Sequence, residues 1–182
     1  MPIRLIQVIT ETPPSARRAT LEWIAQAKRP DTRQRRVETT AQAAALAQSR
    51  PGVAYEAGHE AAVATLAEGL LSLGLLKGTL ETVIARGDYK RFYRHKTGHW
   101  LGLDVHDVGE YRIDGESRLL EAGMVFTIEP GLYIPVDADV PAKWRGIGIR
   151  IEDDVLITAD GHRVLTAALE RSADEVEALM AA

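Results

Sequence analysis

The chain has 182 residues, of which 46% are hydrophobic and 26% are charged, and it contains 15 glycines and 8 prolines. This composition is typical of a globular domain and excludes collagen-like and wholly disordered chains. The 22 basic and 26 acidic residues give a net charge of −4, so the chain lacks the overall positive field that gathers nucleic acid or anionic lipid. We therefore expect no nucleic acid as a partner.

The absence of cysteine limits the chemistry of any site. Disulfides, thiolate nucleophiles and cysteine-type zinc or iron–sulfur centres are excluded, so any metal would be held by nitrogen and oxygen ligands. The first residues, MPIRLIQVITETPPSARR, contain no long apolar run, and polar residues interrupt the most apolar segment, Ala61 to Leu75. We expect a cytoplasmic protein without a membrane span.

Charge and pattern divide the sequence near residue 50. Residues 1–50 hold nine basic and four acidic residues, whereas the rest of the chain holds thirteen and twenty-two. We separate an N-terminal arm with a helix, residues 1–49, from a C-terminal part of a domain, residues 50–182. In residues 1–37 the apolar residues recur with neither helical nor strand spacing, which predicts a loosely packed or partly disordered arm. The alternative is a strand at Ile6–Thr10 that completes a sheet.

Four helices are predicted. The alanine- and glutamine-rich run Val37–Ser49 favours a helix that the following Pro51-Gly52 ends. Apolar residues at three-to-four spacing from Val63 to Leu73 predict a second helix, and a short one follows near Leu80–Arg86. A capping-box pattern predicts a closing helix from Ser172 to Met180.

The second half of the chain is predicted to be mostly sheet. Its extended runs are His99–His106, Met124–Ile134 and Ile147–Thr158, and turn-rich segments separate them. Helices first and strands later predict an α+β fold, in which helices pack on one face of a curved, mostly antiparallel sheet.

Three histidines, His95, His99 and His106, fall within twelve residues. Gly98 and Gly102 flank a strand-like stretch and no HExxH motif is present, so a helical zinc-protease site is excluded. A metal ligand is one interpretation of His99, and a packed structural histidine is the other.

Two acidic side chains lie at the ends of predicted strands. Pro130 holds Glu129 in an extended backbone and removes a donor from the strand ladder, so the carboxylate is presented where pairing fails. Arg150 and Glu152 share the face opposite three isoleucines, and the arginine can keep a neighbouring carboxylate ionised. The alternatives are an exposed glutamate at a strand end and a surface ion pair.

The imidazole of His99 and the carboxylates of Glu129 and Glu152 would together form an oxygen-rich metal site. Such a site suits manganese, cobalt, iron or zinc. A divalent ion there could lower the pKa of a water and polarise a carbonyl, which favours hydrolysis over redox chemistry or group transfer.

Three motifs resemble those of the Xaa-Pro aminopeptidases (aminopeptidase P), in the metallopeptidase family M24 that also contains prolidase, creatinase and methionine aminopeptidase. They are HKTGHWLGLDVHDVG from His95, LEAGMVFTIEPGLYIP from Leu120 and RGIGIRIEDDVLIT from Arg145. The resemblance runs from about Arg50 to Ala182. It implies the pita-bread fold, a dinuclear metal centre that usually holds manganese, and hydrolysis of the peptide bond between an N-terminal residue and a following proline.

The resemblance also implies a role for individual residues. His99 and Glu129 resemble ligands of one ion, and Glu152 resembles the carboxylate that bridges both ions. Glu129 would also act as general base or proton shuttle. His95 and His106 resemble the pair that borders the substrate and steadies the tetrahedral intermediate, whereas Tyr133 and Arg150 resemble supporting groups around the carboxylates.

The sequence departs from the family pattern upstream of these motifs. The family uses two further aspartates from a strand pair, but before Arg50 the only aspartate is Asp31, which has no strand pattern around it. Two divalent ions on the three remaining ligands would set four positive charges against two negative ones, so we expect one ion at most.

The main expectation is a truncated Xaa-Pro aminopeptidase whose activity on its own is not assured. Its substrate would be a peptide with proline in second position, and family members are commonly homodimers or tetramers. The alternatives are a non-catalytic pita-bread remnant that serves as a binding or dimerising module, and a prolidase-type dipeptidase.

Overall fold

Helices form the first part of the structure, a computed structural model that describes residues 30–169 and 178–181. Helix α1 spans Pro30–Ala47, α2 spans Tyr55–Ser72 and α3 spans Leu80–Arg86. A short 3₁₀ helix, Asp88–Arg91, follows. No helix among the described residues is both long and apolar enough to cross a membrane.

Helix α1 begins earlier than the sequence pattern predicts. The helix expected over 37–49 is present as far as Ala47, but residues 30–36, which the sequence pattern places in the loosely packed arm, are helical as well. Proline is well tolerated in a first helical turn, and the arginines and glutamine after it are good helix formers, although they carry no apolar period. The alternative strand at 6–10 lies outside the described residues. So does most of the predicted closing helix, of which only residues 178–180 are described, and these are helical.

The α1 and α2 helices pack through small side chains. Ala41 and Ala45 of α1 and Ala62 of α2 are fully buried. A Cβ atom on Gly58 would lie 3.6 Å from the carbonyl oxygen of Ala45, which is ordinary van der Waals contact. Small residues at these positions therefore let the two helix backbones approach closely.

Seven short strands follow the helices, and all their pairings are antiparallel. They are β1 (Arg112–Ile113), β2 (Glu116–Ser117), β3 (Val125–Ile128), β4 (Gly131–Tyr133), β5 (Gly148–Arg150), β6 (Asp153–Ile157) and β7 (His162–Val164). The sheets have the strand orders β1-β2, β3-β6-β7 and β4-β5. The β1-β2 hairpin, in a segment that we expected to be turn only, is closed by Asp114 and Gly115, both with positive φ.

The core lies between the helices and the sheets. Leu66 and Leu70 of α2, Leu132 of β4, and Val155 and Ile157 of β6 each expose no more than 1% of their surface. Buried residues of the helices and of the strands thus belong to one hydrophobic core, as an α+β fold requires.

The predicted strand over His99–His106 is wrong beyond its first residues. Only Trp100 forms a bridge, to Phe126 of β3, and the chain then bends away. The backbone N–H of Asp107 donates to the carbonyl of Trp100 at 3.1 Å, and a Cβ atom on Gly102 would lie 1.8 Å from Oδ2 of Asp107. This local turn replaces strand pairing, because the aspartate occupies the space that Gly102 leaves.

Candidate metal centre

The site is built where the segment before Trp100 runs beside β3. The N–H of Glu129 donates to the carbonyl of Thr97 at 2.6 Å, and the N–H of Thr127 donates to that of His99 at 2.9 Å. Gly98 permits this approach, because a Cβ atom there would lie 1.8 Å from the carbonyl oxygen of Thr127. His99 is therefore fixed to β3 although it belongs to no regular strand.

Glu129 and Glu152 face each other across a break in the sheet. Ile128 pairs with Asp153, and Gly131 pairs with Arg150, so both pairings share one register that places position 129 opposite position 152. Proline at position 130 has no N–H to donate, so the ladder is interrupted there. Like charges directly opposite each other destabilise a strand pair, and a bound cation would offset this repulsion.

The candidate ligand atoms of His99, Glu129 and Glu152 all lie within 4.8 Å of one another. Nε2 of His99 is 3.3 Å from Oε1 of Glu129, and the two side chains are only 15% and 11% exposed. The side chain of Glu152 is 43% exposed. Two ligands thus lie in the wall of the site, and the third lies at its rim.

The hydrogen bond of His99 sets its tautomer. Nδ1 lies 2.9 Å from the carbonyl oxygen of Trp100. Because a carbonyl only accepts, Nδ1 carries the hydrogen, and the lone pair of the neutral ring lies on Nε2. Metal-binding histidines use this arrangement, in which a backbone carbonyl fixes the tautomer and orients the ring.

Arg150 contributes the positive charge next to the two carboxylates. Its Nη1 is 3.5 Å from Oε2 of Glu129, and its Nε is 3.9 Å from Oε2 of Glu152. Its side chain is 50% exposed, so water screens both pairs. With one guanidinium against two carboxylates, the cluster keeps a net negative charge.

The donor set fits a divalent metal ion. An oriented imidazole nitrogen and two carboxylates are the nitrogen and oxygen ligands that zinc and manganese sites use. One ion on three ligands leaves coordination positions for water or substrate, which is the arrangement of catalytic rather than structural sites. Within the part of the chain that the structure describes, His99, Glu129 and Glu152 are the one group of at least three histidine or acidic side chains close enough to hold a metal ion together.

His95 and Tyr133 form a second pair beside the carboxylates. Nδ1 of His95 lies 2.7 Å from the carbonyl oxygen of Lys96, so it carries the hydrogen, and Nε2 accepts from the Tyr133 hydroxyl at 3.0 Å. His106 is exposed on the loop after Trp100, yet its ring centroid lies 4.2 Å from that of His99. His106 thus lies beside the candidate ligand His99, and His95 contacts Tyr133.

Sequence patterns did not reveal the polar residues behind this site. Thr97 is buried, and its hydroxyl lies 2.8 Å from Nδ1 of His59 and 2.6 Å from the hydroxyl of Tyr93. Burial, with a smaller contribution from the charge of Lys96, lowers the pKa of His59 from 6.5 to about 4, so the ring is neutral. His59 and Thr97 are 38 residues apart, and no spacing rule connects them.

Thr127 is a further residue without a predicted role. Its strand position on the face of Glu129 could have suggested one, because residues two apart in a strand share a face. Its hydroxyl accepts from the N–H of His99 and lies within reach of Glu129.

The chain is similar to proteins of one metallopeptidase family. The model of metallopeptidase family M24 matches residues 20–159. The chain is 51% identical over 133 residues to the Xaa-Pro aminopeptidase of Escherichia coli, and the match covers 73% of this chain and 30% of that protein. The chain is also 48% identical over 130 residues to the Xaa-Pro aminopeptidase of Haemophilus influenzae, and this match covers 71% of this chain and 30% of that protein.

Solved structures of the same group match the fold. The aminopeptidase PepP of Pseudomonas aeruginosa superposes with a TM-score of 0.79 at 49% identity, over 84% of this chain and 35% of that one. The proline aminopeptidase P II of Yersinia pestis gives a TM-score of 0.77 at 47% identity, over 84% of this chain and 35% of that one. The predicted α+β fold, as part of a pita-bread domain, is confirmed.

The chain spans about 30% of the length of the curated relatives it matches. The family match nevertheless includes most of the chain and all three motifs that carry the candidate ligands. The chain belongs to metallopeptidase family M24.

Proposed function

We propose that this chain is the metal-binding part of an Xaa-Pro aminopeptidase and binds one divalent ion, with manganese as the native metal. The observation that carries the proposal is the convergence of His99, Glu129 and Glu152, whose ligand atoms lie within 4.8 Å of one another. Relatives that are about 50% identical bear the name Xaa-Pro aminopeptidase, which supports a peptide with proline in second position as the substrate.

The bound ion would supply Lewis acidity and a water of lowered pKa. His99, Glu129 and Glu152 would hold it. Glu129, the more buried of the two carboxylates, would accept a proton from the attacking water and pass it to the leaving amine as general base or proton shuttle.

The other residues of the site would act on the substrate and on the carboxylates. His95 and His106 would border the peptide and steady the tetrahedral intermediate as negative charge develops on the carbonyl oxygen. Tyr133 would orient His95 through their hydrogen bond, and Arg150 would support the carboxylates through its contacts with both of them.

Calorimetric titration of the full chain with manganese tests the proposal. We expect one equivalent for the wild type and weaker binding, by about 10-fold or more, for Glu152→Gln, which keeps the side-chain shape and removes the charge. Glu121→Gln, at an exposed glutamate outside the site, is the matched control and should bind as the wild type does. Two tight equivalents would contradict the single-ion site, and no binding would contradict the proposal.

Activity is measured separately on short peptides that begin Xaa-Pro, with manganese present. Release of the N-terminal residue from tripeptides supports the aminopeptidase, whereas turnover limited to dipeptides would favour the prolidase-type alternative. The position of the chain in the cell stays a prediction from the sequence, with the cytoplasm proposed.

The second candidate function is a non-catalytic dimerising module. It is favoured by the loop after Trp100 and the β1 strand, where Leu103, Val105, Val108 and Ile113 are 103%, 69%, 88% and 47% exposed. An apolar patch of this kind is typical of interaction surfaces. Sedimentation velocity would then show a homodimer or tetramer that Val108→Asp dissociates, and robust peptide turnover would exclude the non-catalytic assignment.

A further inference from the structure

Thr127 connects two of the candidate ligands through its hydroxyl. The hydroxyl oxygen accepts a hydrogen bond from the backbone N–H of His99 at 3.1 Å. The same hydroxyl donates to Oε1 of Glu129, also at 3.1 Å. A threonine hydroxyl has one hydrogen and two lone pairs, so it can make both bonds at once.

The surroundings of Thr127 leave this hydroxyl little freedom. The residue is 2% exposed, and its backbone N–H donates to the carbonyl of His99 at 2.9 Å, so residues 99 and 127 are joined by main chain and side chain together. Threonine is also stiff about χ1, because two heavy atoms on Cβ restrict its rotamers. The position of the hydroxyl is therefore set by the strand and not by the ligands.

The bond to Glu129 acts on the oxygen that faces His99. Oε1 accepts from Thr127 and lies 3.3 Å from Nε2 of His99, whereas Oε2 faces Arg150 at 3.5 Å. The two carboxylate oxygens thus have separate partners, and the carboxylate cannot rotate without losing one of them.

The geometry points to Thr127 as a positioning residue for the metal ligands, which it aligns before the ion binds. This inference rests on the proposed metal site and adds to it a residue that contacts no ion itself. Hydrogen-bond partners of this kind typically change metal affinity about 10- to 100-fold when they are removed.

The test compares Thr127→Val, which has nearly the same shape but no hydroxyl, with Thr127→Ser, which keeps the hydroxyl. Thr65→Val is the matched control, because Thr65 also uses its hydroxyl for a backbone bond, to Ala61, but lies in α2. Manganese affinity is measured by calorimetry on the full chain, and the visible spectrum of the cobalt-loaded protein reports the ligand geometry.

We expect Thr127→Val to bind manganese about 10- to 100-fold more weakly and to change the cobalt spectrum, with Thr127→Ser and Thr65→Val within about threefold of the wild type. Unchanged affinity in Thr127→Val overturns the inference. Equal loss in Thr127→Ser overturns it as well, because packing rather than the hydroxyl would then be responsible.

A metal-free readout separates this inference from the proposed function. The amide proton of His99 should move upfield in Thr127→Val and stay in place in Thr127→Ser, because the change removes its acceptor. If the wild type binds no manganese, the proposed function fails and the amide signal alone decides whether Thr127 holds His99. An unmoved amide signal in Thr127→Val overturns the positioning role.

Discussion

The hydroxyl of Tyr133 lies 3.0 Å from Nε2 of His95, because the tyrosine ring packs over Gly131 and Gly148. A Cβ atom on Gly131 would lie only 2.6 Å from that hydroxyl oxygen, and one on Gly148 would lie 3.4 Å from Cδ1 of the ring. The small residues of β4 and β5 therefore provide the space in which the tyrosine contacts the histidine.

Gly131→Ala should displace the Tyr133 hydroxyl and destabilise the protein. Overpacking of this kind costs about 1–3 kcal/mol, which corresponds to a fall in Tm of about 2–10 °C for a chain of this size. Differential scanning calorimetry measures this fall in Tm. Gly161→Ala, where a Cβ atom has no neighbour within 4 Å, should stay within about 1 °C of the wild type. Equal Tm values for both variants would count against the contact.

The pH dependence of stability should reveal the buried His59. Its pKa is lowered by burial to about 4 in the folded protein, whereas the unfolded chain has an ordinary imidazole with a pKa of 6.5. Between these values the unfolded chain binds a proton that the folded protein does not bind, so the free energy of unfolding falls as pH falls, by about 1.4 kcal/mol per unit. Below the folded pKa this loss is complete.

Urea unfolding at pH 7 and pH 5 checks this prediction. His59→Gln removes the titrating group, so its loss of stability between the two pH values should be smaller than that of the wild type by about 2 kcal/mol. Parallel pH dependence for His59→Gln and the wild type would show that the ring is not kept neutral by the fold.

The bond between Gln42 and Asp153 should anchor α1 to the sheet. Asp153 is fully buried in β6, and Nε2 of Gln42 donates to its Oδ2 at 2.6 Å, while the Thr166 hydroxyl donates to its Oδ1 at 2.7 Å. Gln42→Met keeps the length of the side chain but removes a donor to a buried carboxylate, which costs about 1–3 kcal/mol. Urea unfolding gives this value, and Gln48→Met, at a half-buried site at the end of the helix, should cost less than about 1 kcal/mol. A neutral Gln42→Met would contradict the anchoring role of this bond.

Manganese should stabilise the folded chain, because the ion would bind a site that exists only when the strands are paired. At about 100 times the Kd, the added stability is about 2.7 kcal/mol, or about 5–10 °C in Tm. Thermal unfolding with and without manganese measures the shift. Glu152→Gln, which binds at least about 10-fold more weakly, should keep at most about half of this shift, and Glu121→Gln should keep all of it. An equal shift in both variants would place the ion elsewhere.

Local patterns were enough to predict the parts of the fold that depend on near neighbours. Helix α3 has the predicted bounds, since Thr79 caps its start and Gly87 its end. Pro130 divides the strand run at the position of Glu129, where pairing is interrupted as expected. Alternation along β5 and the residues after it placed Arg150 and Glu152 on the face opposite the isoleucines.

Contacts between distant residues limited the rest. The strand pattern after His99 gives way to a turn because Asp107 folds back onto Gly102, and strand propensity does not report such a side-chain contact. The network of His59, Thr97 and Tyr93 joins α2 to the site across a long separation in sequence. Helix α1 is longer than the sequence pattern predicts, because its first turns contain no apolar residues at helical spacing.

The most direct test of the central claim is the anomalous scattering of manganese in crystals of the full chain soaked with the ion. The account predicts one peak within about 2.0–2.3 Å of Nε2 of His99 and of carboxylate oxygens of Glu129 and Glu152. A peak at another position, or three side chains that point away from one another in the soaked crystal, would contradict it.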